Sequence, residues 1–476
     1  MQRPAWRDTF SALRIRNYRL YAVAQVISNT AGWMQRIAVD WLVLELTGSI
    51  ALVGLTIALQ FLPTLIFGAH AGIIADRLPK RAVLLASQAV VGVLSVVLAV
   101  SAILGTAQLW FVYAIVLGIG VMQVLDLPAR AVFVQEMVGP RHLRNAISVN
   151  ASIFHLGALI GPALAGAIIA TAGTGWAIGA NAVAVIIGIV LLLTIRSSEL
   201  LIAPRAPRER GQIRQAARYI LSKPTIFWTM VLVGVVAIFG MPMPALLAGM
   251  ADEVYDTGAT GYGLYNSLIA AGALIGALAS TRRSSLRLRT IVFGALLYGL
   301  LQLMAGLAPF ELMFLALLTT IGLSRLLYMT ASETMVQFST NLAIRGRVVA
   351  FWVLVVVGGQ AIGAPLMGWI AEALGPRTAM VISGAVPAIA AIAIGLVLAR
   401  TGRLKVVVRA GTRGSWVSIV RRPSKTAAPK AAAPKTAAPK AAEPSATAPK
   451  AADPKAADPK AADPKATDPS ATDPSV

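Results

Sequence analysis

The residues able to do chemistry in this sequence are few, and the most informative lie on one helical face near the start of the chain. Gln25, Asn29, Trp33, Arg36 and Asp40 follow one another in steps of four, four, three and four, which puts them on one side of a 3.6-residue helix. They stand within an apolar run, where a charged side chain is costly and faces protein or water rather than lipid. The stripe therefore reads as one wall of an internal cavity. Arg36 and Asp40 are close enough in sequence to pair. One reading is a carboxyl that takes up and releases protons with Arg36 controlling it; the other is a static pair near a membrane interface. His155, in a later apolar run, is a candidate proton relay and equally a hydrogen-bonded packing residue. Asp126 and Arg130, four apart with Pro128 between them, read as a gate or structural pair rather than a substrate contact. Arg325 lies deep in an apolar run and needs a carboxylate, a carbonyl or an anionic ligand. Trp33 and Tyr265 are carried as aromatic cavity candidates, although such residues are as a class more often packing anchors.

Other chemistries are excluded by what the sequence lacks. It has no cysteine, hence no disulfide, thiolate ligand or thiol nucleophile. Its histidines, His70, His142 and His155, are too scattered for a zinc motif. It has no phosphate-binding loop and no nucleophile–base spacing, so no cofactor, no metal, no ATP-driven step and no enzyme are expected.

The elements that must position the stripe follow from composition. Hydrophobic residues make up 57% of the 476 and charged residues only 13%, against about 25% in a soluble domain, and the mean hydropathy is +0.73. A bilayer core takes about 20 apolar helical residues. Spans are expected near 20–46, 49–75, 82–104, 108–129, 145–170, 175–195, 226–248, 261–281, 289–307, 311–336, 347–371 and 378–399, giving an all-α membrane protein of twelve transmembrane helices. Forty-one glycines suit helices packed closely in lipid.

The formal charge of +22 is explained by topology rather than nucleic-acid binding. With the basic N-terminus inside, alternate connections hold Arg77, Lys80 and Arg81; Arg141 and Arg144; Arg282, Arg283, Arg287 and Arg289; and Arg345 and Arg347. The opposite connections hold Asp252, Glu253, Asp256, Glu311 and Glu372, with Arg377 their one basic residue. This is the positive-inside pattern; it requires an even number of spans and puts both termini in the cytoplasm. The long basic connection 196–225, containing an amphipathic helix at 211–223 that suits a membrane face, divides the chain six and six. The expected organisation is an N-terminal bundle at 1–195, a cytoplasmic linker at 196–225, a C-terminal bundle at 226–400 and a cytoplasmic tail at 401–476. From about residue 423 the tail becomes Pro/Ala/Lys repeats of disordered, partly polyproline character. No cleavable signal peptide is expected, since basic residues precede an apolar run too long for one.

Two motifs sharpen this. Gly72-Ile-Ile-Ala-Asp76-Arg77-Leu-Pro-Lys80-Arg81 resembles the signature loop of the major facilitator superfamily, with Pro79 where a glycine is usual. Gly157-Ala-Leu-Ile-Gly161-Pro162-Ala-Leu-Ala-Gly166 resembles the pattern associated with proton-coupled exporters of that superfamily. The segments Trp33–Arg36, Trp41–Gly48, Asp126–Arg130 and Arg345–Val348 are similar to the bacterial drug and siderophore exporter branch, which includes enterobactin- and macrolide-exporter-like members. The similarity runs from about residue 8 to 400. The equivalent loop of the second half, 280–289, lacks the acidic residue, so the loop's function is carried by the first copy.

The resemblance implies gating roles for Gly72, Asp76, Arg77, Arg81, Asp126, Arg130, Gly157, Gly161, Pro162 and Gly166. Asp76 would face the N-terminus of span eleven, a contact worth about 0.3–1 kcal/mol that biases alternating access if made in one state alone. It implies a monomeric exporter of amphiphilic, drug-like molecules by proton antiport in the bacterial cytoplasmic membrane, with small-molecule substrate, protons and lipid as partners. Asp40, Arg36 and His155 are the coupling candidates; Gln25, Asn29, Trp33, Tyr265 and Arg325 are the cavity candidates. A siderophore exporter, an importer of the same fold and a non-transporting scaffold that displays the tail are the alternatives.

Overall fold

The computed structural model describes residues 11–201, 212–280, 288–341, 344–401, 404–408 and 417–421. The side chains of residues 69–77, 212–214 and 398–401 and of the 404–408 and 417–421 segments lie outside the description, so Gly72, Asp76 and Arg77 of the signature loop do too. The repeat tail also lies outside it.

Apolar runs become helices because lipid offers no partners for backbone N–H and C=O groups, which must be satisfied within the segment. The chain enters through a short 3-10 turn, Ser11–Arg14, into α1 (Arg16–Thr47), α2 (Ile50–Arg77) and α3 (Lys80–Ile103). Then come α4 (Leu109–Ala172), α5 (Thr174–Leu193) and the short α6 (Gln212–Ser222), close to the amphipathic segment read from sequence. The second half holds α7 (Pro224–Val235), α8 (Met243–Gly249), α9 (Gly258–Ser280), α10 (Leu288–Gly306), α11 (Glu311–Phe338), α12 (Arg345–Leu374) and α13 (Pro376–Thr401). Ten helical stretches among the described residues are long and apolar enough to cross a membrane. The 32-residue α1 has the length too, although its polar stripe dilutes its hydropathy.

Three places differ from the sequence reading. The expected connection at 130–144 is helical on both sides of a break: α4 consists of two helices, 109–138 and 140–172, that meet at Gly139 (φ 65°, ψ 176°). That backbone conformation belongs to glycine, and Pro140 follows it. The seventh apolar stretch is one irregular rod from Pro224 to Val254. Its α7 and α8 are flanked by π-turns at Val236–Gly240 and Met250–Val254, around the Met241–Pro242 break. Beyond α13, Leu404–Val408 (β1) pairs antiparallel with Val417–Arg421 (β2), Leu404 opposite Arg421, where no regular element was expected.

Within the first half, α1 packs on α4 and α5, α3 on α5 and α2 on α4; within the second, α10 packs on α13 and α9 on α11. The halves meet through α2 against α12 and α4 against α9. One end of the helix array carries Lys80, Arg81, Arg144 and Arg196, and is called here the basic end; the other carries Glu45, Glu253, Glu311 and Glu372, the acidic end.

Candidate functional site

A cavity of about 600 Å³ is walled by α1, α2, α3, α4 and α5. The polar stripe of α1 forms one wall: Gln25, Asn29, Trp33 and Arg36 all line it. It extends toward the basic end, where Tyr21, Arg130 and Leu143 line it. Its other walls carry further amides: Gln35 on α1, Gln60 on α2, Gln88 on α3, Gln123, Gln135 and Asn150 on α4, and Asn181 on α5. Their signal in the sequence was a polar residue inside an apolar run, but a single amide in a span does not declare which side it faces.

Arg36 and Asp40 do not pair. Arg36 donates from Nη2 to Gln123 Oε1 (3.3 Å) and lies over the Trp33 ring, 5.0 Å from its centroid; it reaches no carboxylate among the described residues. Asp40 is 3% exposed and sits behind the cavity wall. Its carboxyl accepts from Gln60 Nε2 (3.3 Å) and from the Tyr262 hydroxyl of α9 (3.2 Å). Two partners on other helices have outcompeted the neighbour one turn away. Tyr262, which sequence reasoning passed over, is fully buried and stacks on Trp41 at 5.8 Å between centroids.

Asp126 and Arg130 form the expected ion pair, with Arg130 Nη2 3.2 Å from Asp126 Oδ1. Ser87 Oγ also donates to Asp126 Oδ1 (3.0 Å). Both residues line the cavity, so this pair is part of its wall. Arg81 donates to the carbonyls of Leu192 (3.2 Å) and Leu193 (2.8 Å), capping the C-terminus of α5, where cations are favoured.

Three sequence candidates fall outside the cavity. Tyr265 is fully buried at the acidic end, donating to Glu311 Oε1 (2.9 Å) beside the Thr257 hydroxyl (3.0 Å). Arg325 is half-buried in α11 and makes no hydrogen bond or ion pair with another described residue. The His155 ring meets Phe154 edge-on at 5.7 Å, and it is Phe154 that lines the cavity. For Tyr265 and His155 periodicity identified a position on a helix but not the neighbour that claims it.

The glycine–proline stripe serves two partners. A Cβ on Gly161 would lie 2.6 Å from Thr30 O and 2.7 Å from Trp33 Cβ, and one on Gly157 would strike the Asn29 side chain. These two glycines seat α1, and with it the cavity stripe. A Cβ on Gly166 would lie 2.7 Å from Ala259 O, while one on Gly263 would lie 2.3 Å from Pro162 O. The far end of the stripe therefore seats α9 of the other half.

At the acidic end polar contacts reinforce the junction. Glu372, near the C-terminus of α12, accepts from the Ser49 hydroxyl and from the Ala51 N–H (3.0 Å) at the N-terminus of α2. Asp40–Tyr262 is a second link between the halves. Gly54 and Gly368 let α2 and α12 approach closely enough that a Cβ would meet backbone, Ala364 O at 2.3 Å and Ile50 O at 2.7 Å.

Residues 7–409 match the transmembrane secretion effector family. The enterobactin exporter EntS of Citrobacter koseri is 27% identical over 393 residues, 81% of this chain and 92% of that protein. EntS of Escherichia coli O1:K1 is 26% identical over 389 residues, with the same coverage. The fold is shared with solved transporters. A bacterial homolog of the human lysosomal transporter Spinster, inward-facing and unoccupied, superposes with a TM-score of 0.65 at 16% identity, over 81% of this chain and 98% of that one. A D-xylose–proton symporter superposes with a TM-score of 0.61 at 14% identity, over 79% and 96%.

Proposed function

The chain belongs to the transmembrane secretion effector family of major facilitator transporters, and from that premise we propose that it exports a siderophore-type chelator by alternating access. It is a multi-pass membrane transporter and not an enzyme. The observation that carries the proposal is the cavity: about 600 Å³ with nine amide side chains in its walls, in a chain whose relatives are described as enterobactin exporters. Binding pockets usually set a small number of polar groups in an apolar lining. Nine amides suit a ligand with many hydrogen-bonding groups of its own. Drug-like amphiphiles are the second reading, and they would draw more on the apolar remainder of the lining.

The transport cycle we propose uses twelve spans: the ten apolar stretches, α1, and the division of α4 at Gly139 into two. They form two six-helix bundles, 1–195 and 226–400, joined by the 196–225 linker. The basic end faces the cytoplasm of a bacterial inner membrane, as the charge asymmetry of the connections favours, with both termini on that side. The contacts of Glu372, Tyr262 and Gly166 hold the acidic end closed while the cavity extends toward the basic end. Rocking of the bundles about this site would exchange access. Asp40 is the proposed proton carrier, since it is buried between the halves with two uncharged partners, and its proton occupancy can alter the link to Tyr262.

The test is export from a bacterial host lacking its own siderophore exporter, followed by uptake into proteoliposomes under imposed pH gradients. Restored, uncoupler-sensitive siderophore secretion is the expected result. Movement in the opposite direction would favour an importer. Loss of function on deleting 423–476, with Asp40 and Arg36 dispensable, would favour a scaffold.

A further inference from the structure

We propose that the groove between α6, α7 and α12 holds one anionic phospholipid, with an acyl chain in the groove and the phosphate at its basic rim. The site lies apart from the cavity of α1 to α5 and does not depend on what the chain transports. At 11 residues, α6 is too short to span a bilayer. It packs instead on α7 and α12, through a face that buries Ala216 and Ile220 (1% and 4% exposed). The adjoining side of the same helix, Ala217 and Leu221, forms one wall of a groove of about 290 Å³. Phe227 and Met230 of α7 and Phe351 and Val355 of α12 form the others, and every lining side chain is apolar. Leu221 is nevertheless 68% exposed at the rim. The lipid-facing side of a single span is convex; here the short helix makes a slot that an acyl chain can enter.

Charge selects the occupant. The segments 212–251 and 345–371 supply all three walls and contain no Asp or Glu. Arg218 stands between Ala217 and Leu221 in α6, Lys223 is the N-cap of α7 one turn before Phe227, and Arg347 is one turn before Phe351 in α12. Arg218 and Lys223 are exposed. Lys223 lies over the Tyr219 ring, 5.9 Å from its centroid, and Arg347 donates to Gln215 Oε1 of α6 (2.6 Å); these partners are neutral and do not cancel the charge. Basic pockets between spanning helices take acidic lipid headgroups, and a basic amphipathic helix gains from the same lipids. A zwitterionic lipid would fill the slot and gain little at the rim. A second copy of this chain would bring like charge against it. The repeat tail, 423–476, has no large apolar side chain before Val476 to place there.

The test uses the full-length chain in phosphatidylcholine nanodiscs. The sequence has no cysteine, so Ser222→Cys, exposed beside Leu221, carries a single bimane label. The probes are phosphatidylglycerol and phosphatidylcholine with dibrominated acyl chains, which quench the label on contact. Each basic residue near the headgroup is worth about fivefold in binding. Brominated phosphatidylglycerol should therefore reach half-maximal quenching at a mole fraction at least about fivefold below that of brominated phosphatidylcholine. Arg218→Gln combined with Lys223→Gln should bring the two within about twofold. Ala217→Phe and, separately, Val355→Trp fill the slot with the charges in place and should also remove the preference, with Tm near the parent's. Equal quenching by the two lipids in the unmodified rim overturns the site, as does a preference that survives the double charge variant. A preference that survives a filled slot also overturns it, since the lipid is then drawn only to a basic surface. Quenching by neither lipid, with the nanodisc holding two copies of the chain, would assign the groove to a second copy and overturn it as well.

Discussion

Replacing Glu372 with alanine removes the carboxylate that ties α12 to the start of α2. In the structure that carboxylate accepts from the Ser49 hydroxyl and, at 3.0 Å, from the Ala51 N–H, while Ser49 Oγ itself accepts from Leu52 N–H at 3.3 Å as the N-cap of α2. The first N–H groups of a helix have no intrahelical acceptor. A group that caps them contributes about 1 kcal/mol, and a negative charge at the positive pole of the helix adds about 0.3–1 kcal/mol. Together these give about 1–2 kcal/mol, or a factor of about 5–30 in an equilibrium constant. Glu372 is exposed, which favours the lower part of that range. A contact made only with the acidic end closed biases the cycle by its own free energy, so Glu372→Ala should raise the population open at that end by this factor. The sequence contains no cysteine, so Ala259→Cys supplies a unique thiol. Ala259 is 8% exposed, with its carbonyl against Gly166 of the other half, and is reached only when the junction opens. With opening fast relative to alkylation, the labelling rate by a membrane-impermeant maleimide follows the open population. Labelling should accelerate about 5–30-fold in Glu372→Ala, with Glu372→Gln between the two. An unchanged or slower rate would refute the latch.

Asp40→Asn should abolish pH-gradient-driven transport while leaving expression and thermal stability close to the parent; normal uncoupler-sensitive export by this variant would remove Asp40 from the coupling role. Gly161→Ala forces a Cβ to within 2.6 Å of Thr30 O and should cost about 1–3 kcal/mol as overpacking, seen as a lower Tm; an unchanged Tm would show that α1 and α4 part freely there. Arg130→Ala leaves Asp126 buried with Ser87 as its remaining described partner and should destabilise by about 3–5 kcal/mol. The double variant Arg130→Ala with Asp126→Asn should recover part of that loss, and a double variant as unstable as the single would argue against an uncompensated charge. Tyr262→Phe removes the hydroxyl that Asp40 accepts from at 3.2 Å, and should speed labelling at Ala259→Cys in the same direction as Glu372→Ala.

Much of the fold was legible because the bilayer imposes one-dimensional rules. A helix must be apolar for about 20 residues, so most helix limits fell within a few residues of the expected spans. The failures were local. Residues 130–144 are polar enough to read as a connection, yet they continue α4 with a break at Gly139; helices that project beyond the apolar layer carry no hydropathy signal. The paired strands after α13 left no pattern either, because five-residue apolar segments do not distinguish strand from anything else.

The candidate site divides in the same way. Gln25, Asn29, Trp33 and Arg36 were found together because they share one helix, and the helical period fixes their common face whatever surrounds them. The Asp126–Arg130 pair was likewise a matter of one turn. Arg36 and Asp40 have the same spacing and nevertheless part, because Gln123 of α4 takes one while Gln60 of α2 and Tyr262 of α9 take the other. Gln60, Tyr262 and Glu372 carry nothing in their own neighbourhoods that announces a role. Sequence alone determined the helices, their polar faces and the charge asymmetry of their ends, since these depend on periodicity and on transfer out of water. Tertiary structure alone decided which charges are compensated and which contacts close the junction, since those depend on distances between helices far apart in the chain.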